Sequence, residues 1–93
     1  MDLKEEIKNS IKLSEVIGKN LSLKKRDNNN YVALCPFHKE KTPSFNISDD
    51  KGFYHCFGCG KNGDIFNYLM DTENLSFVDA LKKLADYAGI NTS

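Results

Sequence analysis

The chain has 93 residues, and its 13 basic side chains balance its 13 acidic ones. This length predicts one domain with a small core, and 40% hydrophobic residues exclude a disordered chain. Charges spread through the first twenty residues and the shortness of every apolar run exclude a signal peptide and a membrane span. We therefore expect a cytoplasmic protein with reduced thiols and no membrane partner.

The first segment, residues 3–20, is predicted to be helical. Leu3, Ile7 and Ile11 recur every four residues, as they do along one face of a helix. A break near residues 9–10 would divide the segment into two short helices.

The middle of the chain, residues 21–62, is predicted to form a small antiparallel sheet. Four short runs in which apolar and polar residues alternate read as strands, at residues 21–24, 31–34, 44–48 and 53–57. Polar turns at residues 25–30 and 49–52 separate them, and their Asp, Asn and Gly residues favour hairpins.

The last segment, residues 63–89, is predicted to contain two helices. One begins at Ile65, after Gly63 and Asp64. The second begins after Ser76 and stops at Gly89, with an apolar face made of Phe77, Leu81, Leu84 and Ala88. The fold class is therefore α+β: one domain over residues 1–93, with helices flanking a small sheet.

The three cysteines form the clearest chemical pattern. Cys35 and His38 are separated by two residues, as are Cys56 and Cys59, and 17 residues lie between the two pairs. Two such turns can supply three sulfurs and one nitrogen in a tetrahedron, an arrangement that suits Zn²⁺. Four protein ligands leave no position for water, so we expect one structural zinc ion and no catalytic centre.

Other interpretations of this pattern remain. His55 is a rival ligand, but it directly precedes Cys56 in a predicted strand, where neighbouring side chains point to opposite faces. A redox pair at Cys56 and Cys59 would leave Cys35 and His38 unexplained. Three buried cysteines with coincidental spacing are the remaining possibility.

The balanced net charge hides an uneven distribution. Residues 1–18 carry a net charge of −1, residues 19–61 a net charge of +4 and residues 62–93 a net charge of −3. The basic segment also contains the cysteines and several aromatic residues. Cations that follow phosphates, interleaved with rings on which bases stack, are typical of proteins that bind single-stranded nucleic acid. An uneven surface without a partner is the alternative.

A longer string of residues resembles the zinc-binding domain of bacterial DNA primases, of the CHC2 zinc-finger type. It runs from Cys35-Pro36-Phe37-His38 through Glu40-Lys41-Thr42-Pro43-Ser44-Phe45 and Tyr54-His55-Cys56-Phe57-Gly58-Cys59-Gly60 to Gly63-Asp64. The resemblance implies a zinc ribbon-like sheet that binds single-stranded template DNA and helps to select the site where primer synthesis starts. It also implies a location at the replication fork.

The resemblance further implies that nucleotidyl transfer belongs to a separate RNA polymerase domain of the primase, and helicase contact to another domain. Because the sequence ends at Ser93, the chain would be the N-terminal part of a primase or a separate homologue. The predicted DNA contacts are cations and rings of the basic segment. Lys41 and Lys51 are preferred because both lie in the signature stretch beside the zinc ligands. The full set is Lys24, Lys25, Arg26, Tyr31, Lys39, Lys41, Phe45, Lys51, His55 and Lys61. The alternative function is a protein-docking module that contacts the polymerase domain or the replicative helicase through its acidic C-terminal helix.

Overall fold

A computed structural model describes residues 2–90, which form a five-stranded antiparallel sheet and four helices. The helices are α1 (Leu3–Ser10), α2 (Leu13–Ile17), α3 (Ile65–Thr72) and α4 (Phe77–Ala88); the strands are β1 (Lys24–Lys25), β2 (Asn30–Ala33), β3 (Phe45–Ser48), β4 (Phe53–Cys56) and β5 (Asn62–Asp64). Each strand pairs with the next along the chain, in the order β1-β2-β3-β4-β5. The predicted α+β class, with helices flanking a small sheet, is confirmed.

The N-terminal segment forms two helices, as the sequence suggested. Asp2 caps α1 by accepting a hydrogen bond of 2.9 Å from the backbone N–H of Glu5. Helix α1 ends before Ile11, which has an extended backbone, and α2 ends at Ile17, with Gly18 as its C-cap. The helical segment is therefore shorter than the predicted 3–20.

Two predictions about the sheet need correction. The first strand was expected at residues 21–24, but the ladder contains only Lys24 and Lys25, while Leu21 and Leu23 pack against the core from a loop. Strand β5 was not predicted. Its residues are Asn62, Gly63 and Asp64, which show no apolar alternation, and it forms because the chain turns back along β4 after Cys59.

Local signals correctly predicted where α3 begins and where α4 begins and ends. Asp64 caps α3 in a reciprocal capping box with Asn67, and Ser76 caps α4. Gly89 ends α4 in a left-handed conformation with φ of 74°. Of the predicted apolar face of α4, Leu84 is buried and Leu81 and Ala88 pack partly buried against the core, whereas Phe77 is 38% exposed. Ala80 and Ala85, which were not predicted, complete the buried face.

All the helices that touch the sheet lie on one of its faces. The core between them includes Phe45, Tyr54 and Tyr68, each at most 1% exposed. The opposite face of the sheet, called the open face below, is not covered by any described element. An antiparallel sheet with one face packed and one face solvated is a common arrangement. None of the described helices has the length and apolar character needed to cross a membrane.

Candidate metal centre and adjoining sheet face

Four side chains converge at one end of the sheet. Cys35 follows β2, His38 lies in the next turn, Cys56 ends β4, and Cys59 lies in the turn that leads to β5. The ligand atoms of these four residues all lie within 4.8 Å of one another. The fold therefore unites two pairs that are far apart in the sequence.

The distances within this cluster fit a zinc ion. A tetrahedron with Zn–S bonds of roughly 2.3 Å places two sulfurs about 3.8 Å apart and a sulfur and a nitrogen about 3.6 Å apart. The Sγ atoms of Cys35 and Cys59 are 3.8 Å apart, and the Sγ of Cys56 is 4.0 Å from Nδ1 of His38. The predicted site for one structural zinc ion, with three sulfurs and one imidazole, is confirmed.

The imidazole in the cluster belongs to His38 and not to His55. His55 lies next to Cys56 in β4, and its side chain leaves the strand on the opposite face from the buried Cys56. His38 presents Nδ1 to the cluster, while its Nε2 lies 3.1 Å from Oε1 of Glu40. This orientation makes Nδ1 the ligand atom.

The surroundings of Cys35 and Cys56 shift the pKa values of their thiols in opposite directions. Burial opposes ionisation of Cys56, but the backbone N–H groups of Cys59 and Gly58 outweigh burial and lower its pKa to about 7. Burial raises the pKa of Cys35 to about 12, although the N–H of Phe37 favours the thiolate. Metal binding requires thiolates, so zinc must displace a proton from Cys35 at any physiological pH.

The strand register defines the open face next to this centre. Directly paired residues of an antiparallel sheet point to the same side. Lys24, Val32, Asn46 and His55 form one row across four strands, and Asn30, Ser48 and Phe53 form the next. None of these side chains is buried, which distinguishes this face from the core face.

Three rings follow one another on the open side of β4 and its extension. Phe53 is 48% exposed, His55 is half-buried, and Phe57 is 74% exposed. The rings of His55 and Phe57 meet edge to face, with centroids 4.6 Å apart. Phe53, His55 and Phe57 are called the aromatic row below. Phe53 and Phe57 were not among the predicted contacts, because alternation places them opposite Tyr54 and Cys56 but does not show which of the two faces is covered.

Cations border the aromatic row. Nη1 of Arg26 donates a 2.8 Å hydrogen bond to Oδ1 of Asn46, and this bond holds the guanidinium across the open face. Lys51, in the turn between β3 and β4, lines one shallow groove with Arg26 and all three rings. Lys24 and Lys25 line a neighbouring groove at the sheet edge together with Phe57. The site therefore combines exposed rings with positive charge.

Two predicted ring contacts lie on the wrong side of the sheet. Phe45 is fully buried and packs between Phe37 and Tyr54, at centroid distances of 6.0 and 5.0 Å. Tyr31 pairs with buried Ile47 and so points to the core face, where it packs against the core. The prediction that Phe45 contacts nucleic acid is wrong, because its ring has no exposed surface. Tyr31 is only partly buried, and its contact stays a prediction.

Three predicted lysine contacts lie away from the aromatic row. Nζ of Lys61 is 3.1 Å from Oδ2 of Asp71 and 5.3 Å from the centroid of Phe37, a ring on the core side. Lys61 therefore lies outside the surface that holds the aromatic row. Lys39 and Lys41 are exposed and line a separate groove formed by residues 34–41. Their contact with nucleic acid stays a prediction.

The fold and the four ligands together define a zinc ribbon-like domain, in which one structural ion joins two turns of an antiparallel sheet. The profile of the CHC2 zinc finger matches residues 2–93. The chain belongs to the CHC2 zinc finger family.

Curated DNA primases are similar to nearly the whole chain. The primase of Geobacillus stearothermophilus is 49% identical over 89 residues, which cover 96% of this chain and 15% of that protein. The primase of Lactococcus lactis is 48% identical over 85 residues, or 91% of this chain and 13% of that protein. The chain thus spans about one seventh of the length of these relatives.

A solved structure supports the same relationship. The Aquifex aeolicus primase, described as zinc binding and RNA polymerase domains, superposes with a TM-score of 0.89 at 34% identity. The match covers all of this chain and 23% of the Aquifex chain. In fold and zinc site, this protein is thus similar to the zinc-binding domain of DNA primases.

Proposed function

We propose that this domain binds single-stranded template DNA on its open face. The observation that carries the proposal is the aromatic row, exposed along β4 and bordered by Arg26 and Lys51. Bases of any sequence can stack on such rings while the cations pair with phosphates. Because a small sheet touches few phosphates, we expect weak binding that depends strongly on salt.

The zinc ion would support this face without touching DNA. It joins the turn after β2 to the end of β4 and the turn before β5, and Cys56 is continuous in the chain with His55 and Phe57. Loss of zinc would release these strand ends and disorder the aromatic row. DNA binding should therefore require the metal, since metal binding in small domains is coupled to folding.

We also propose the biological setting. The relatives are primases, so the domain would serve the synthesis of RNA primers at the replication fork by helping to choose where synthesis starts. Nucleotidyl transfer would be carried out by an RNA polymerase domain of the type named in the Aquifex structure. The described residues hold a zinc site with four protein ligands, so no water-bearing metal for this chemistry is expected there.

A second candidate function is docking onto a protein partner, such as the polymerase domain or the replicative helicase. It is favoured by the exposed apolar side chains on α4, namely Phe77, Val78 and Tyr87, which are 38%, 55% and 44% exposed. These side chains lie on more than one side of a helix on the core side of the sheet, so docking and DNA binding would use different surfaces. Variants on α4 and on β4 should separate them.

Fluorescence anisotropy with a labelled single-stranded oligonucleotide tests the DNA-binding proposal. Phe57→Ala should weaken binding of the zinc-loaded chain by about 1–3 kcal/mol, the usual contribution of one stacked base. Tyr87→Ala on α4 is the matched control, because it removes an exposed ring outside the open face. Equal affinities of wild type and Phe57→Ala, or an affinity that does not change with salt, would reject the proposal.

A further inference from the structure

The carboxylate of Glu40 lies beside the metal centre and is surrounded by hydrogen-bond donors. Its Oε2 accepts from the backbone N–H of Cys35 at 2.8 Å and of Ser44 at 3.0 Å. Its Oε1 accepts from the Ser44 hydroxyl and lies 3.1 Å from Nε2 of His38. The side chain is only 11% exposed. Four donors therefore converge on one shielded carboxylate.

These contacts connect Glu40 with three of the four zinc ligands. It reaches Cys35 through the backbone N–H and His38 through the imidazole. It reaches Cys56 through Ser44, whose Oγ is 3.6 Å from the Sγ of Cys56. Cys35 and His38 belong to the first ligand pair and Cys56 to the second. One side chain thus spans the two halves of the site.

We propose that Glu40 is the positioning residue of the zinc centre. By accepting from Nε2–H of His38, it selects the tautomer whose Nδ1 carries a free lone pair for the metal, and it fixes the plane of the ring. By accepting from Cys35 and Ser44, it holds the first ligand turn against the start of β3. The zinc set is therefore assembled by five residues, four that bind the ion and one that orients them.

The chemistry requires a carboxylate at this position. All four neighbours are donors, and an ionised carboxylate offers two oxygens and no proton. A glutamine keeps the shape but replaces one acceptor oxygen with an NH₂ group, which would face donors. The inference concerns the metal centre alone, so it does not depend on whether the open face binds DNA.

The first test uses the wild-type protein. In the zinc-loaded chain labelled with ¹⁵N-histidine, long-range ¹H–¹⁵N spectra should show His38 bound through Nδ1. They should also show an Nε2–H that exchanges slowly with solvent. Binding through Nε2, or an Nε2–H that exchanges as fast as that of an exposed imidazole, would overturn the proposal. This measurement does not require any variant to fold.

The second test uses Glu40→Gln with zinc affinity measured by competition against a chromophoric chelator. The affinity should fall by about 10–100-fold, as for other groups that orient metal ligands. Glu73→Gln is the matched control, because Glu73 pairs with Lys83 on the helical side and has no contact with the described ligands. Its affinity should equal that of wild type.

A spectroscopic signature separates positioning from a general loss of stability. At saturating zinc, Glu40→Gln should lose the slow exchange of His38 Nε2–H while Glu73→Gln keeps it. If Glu40→Gln retains both wild-type zinc affinity and the protected Nε2–H, the proposal is wrong. If Glu40→Gln does not fold at saturating zinc, the wild-type spectrum decides.

Discussion

His55 and Cys56 are neighbours in β4 whose side chains leave the sheet on opposite faces. Cys56 is fully buried and contributes its sulfur to the zinc cluster, whereas His55 lies on the open face against Phe57. Because side chains alternate along a strand, the metal site lies on one face of β4 and the proposed DNA-binding rings lie on the other. A metal ion that holds Cys56 in place therefore also holds the neighbouring rings on the open face.

The two histidines should respond differently to replacement. His38→Ala removes a zinc ligand, so the chain should lose zinc and unfold, because the metal supplies folding free energy to a domain of this size. His55→Ala should keep one zinc per chain and its circular dichroism spectrum, and should lose affinity for single-stranded DNA. Elemental analysis and anisotropy measure both effects. The reverse pattern would overturn the ligand assignment.

Lys51, before β4, and Lys61, before β5, should differ in their effect on the salt dependence of DNA binding. Lys51→Gln removes a charge beside the aromatic row, and the slope of log affinity against log salt should fall by about 0.7, the value for one phosphate contact on a single strand. Lys61→Gln is the control. Because Lys61 pairs with Asp71 on the helical side, its slope should match wild type. Equal slopes for Lys51→Gln and wild type would contradict the proposed surface.

Tyr54 offers a test of core energetics. Its hydroxyl is buried without a hydrogen-bond partner among the described residues. Tyr54→Phe should therefore leave the free energy of unfolding unchanged or raise it by about 1 kcal/mol, since an unsatisfied polar group is removed. Denaturant unfolding at fixed free zinc measures the change.

Tyr68 provides the matched comparison for that experiment. It is buried to the same degree, and its hydroxyl oxygen accepts a hydrogen bond from the Asn20 side chain. Tyr68→Phe should lower the free energy of unfolding by about 1 kcal/mol because that bond is lost. If Tyr54→Phe destabilises the protein more than Tyr68→Phe does, Tyr54 has a partner in solution.

Zinc affinity should depend on pH with a change of slope near neutrality. The pKa of Cys35 is raised to about 12, so this thiol releases a proton on metal binding throughout the accessible range. The pKa of Cys56 is lowered to about 7, so Cys56 is already a thiolate above pH 7 and must release a proton below it. The apparent affinity should therefore fall more steeply below pH 7 than above. Chelator competition at several pH values measures the slopes, and a steeper loss above pH 7 would contradict this reasoning.

Local signals in the sequence were sufficient for several features. The four zinc ligands followed from two short spacings, because a tight turn needs no distant information to aim two side chains at one ion. The caps at Ser76 and Gly89 were equally local, since they depend on residues within one helical turn. The resemblance over the signature string extended these conclusions to the family.

The side of the sheet that each ring occupies was decided by tertiary structure. Alternation predicts that Phe45 and Phe53 lie on strands. It does not predict which of the two faces the helices cover, because the pattern has the same period of two in either case. Both faces of this sheet contain aromatic residues, so composition did not distinguish them. The packing of α2 and α3 on one face buried Phe45 and left Phe53 exposed.

The sequence by itself therefore determined the metal chemistry, the start of α3, both ends of α4 and the fold class, because the signals for each lie in short stretches of the chain. Only the tertiary structure decided which rings face solvent, that Lys61 pairs with Asp71, and that Glu40 gathers four donors at the zinc ligands. These features depend on which surfaces meet when distant segments pack, and no local pattern of charge or hydrophobicity encodes that choice.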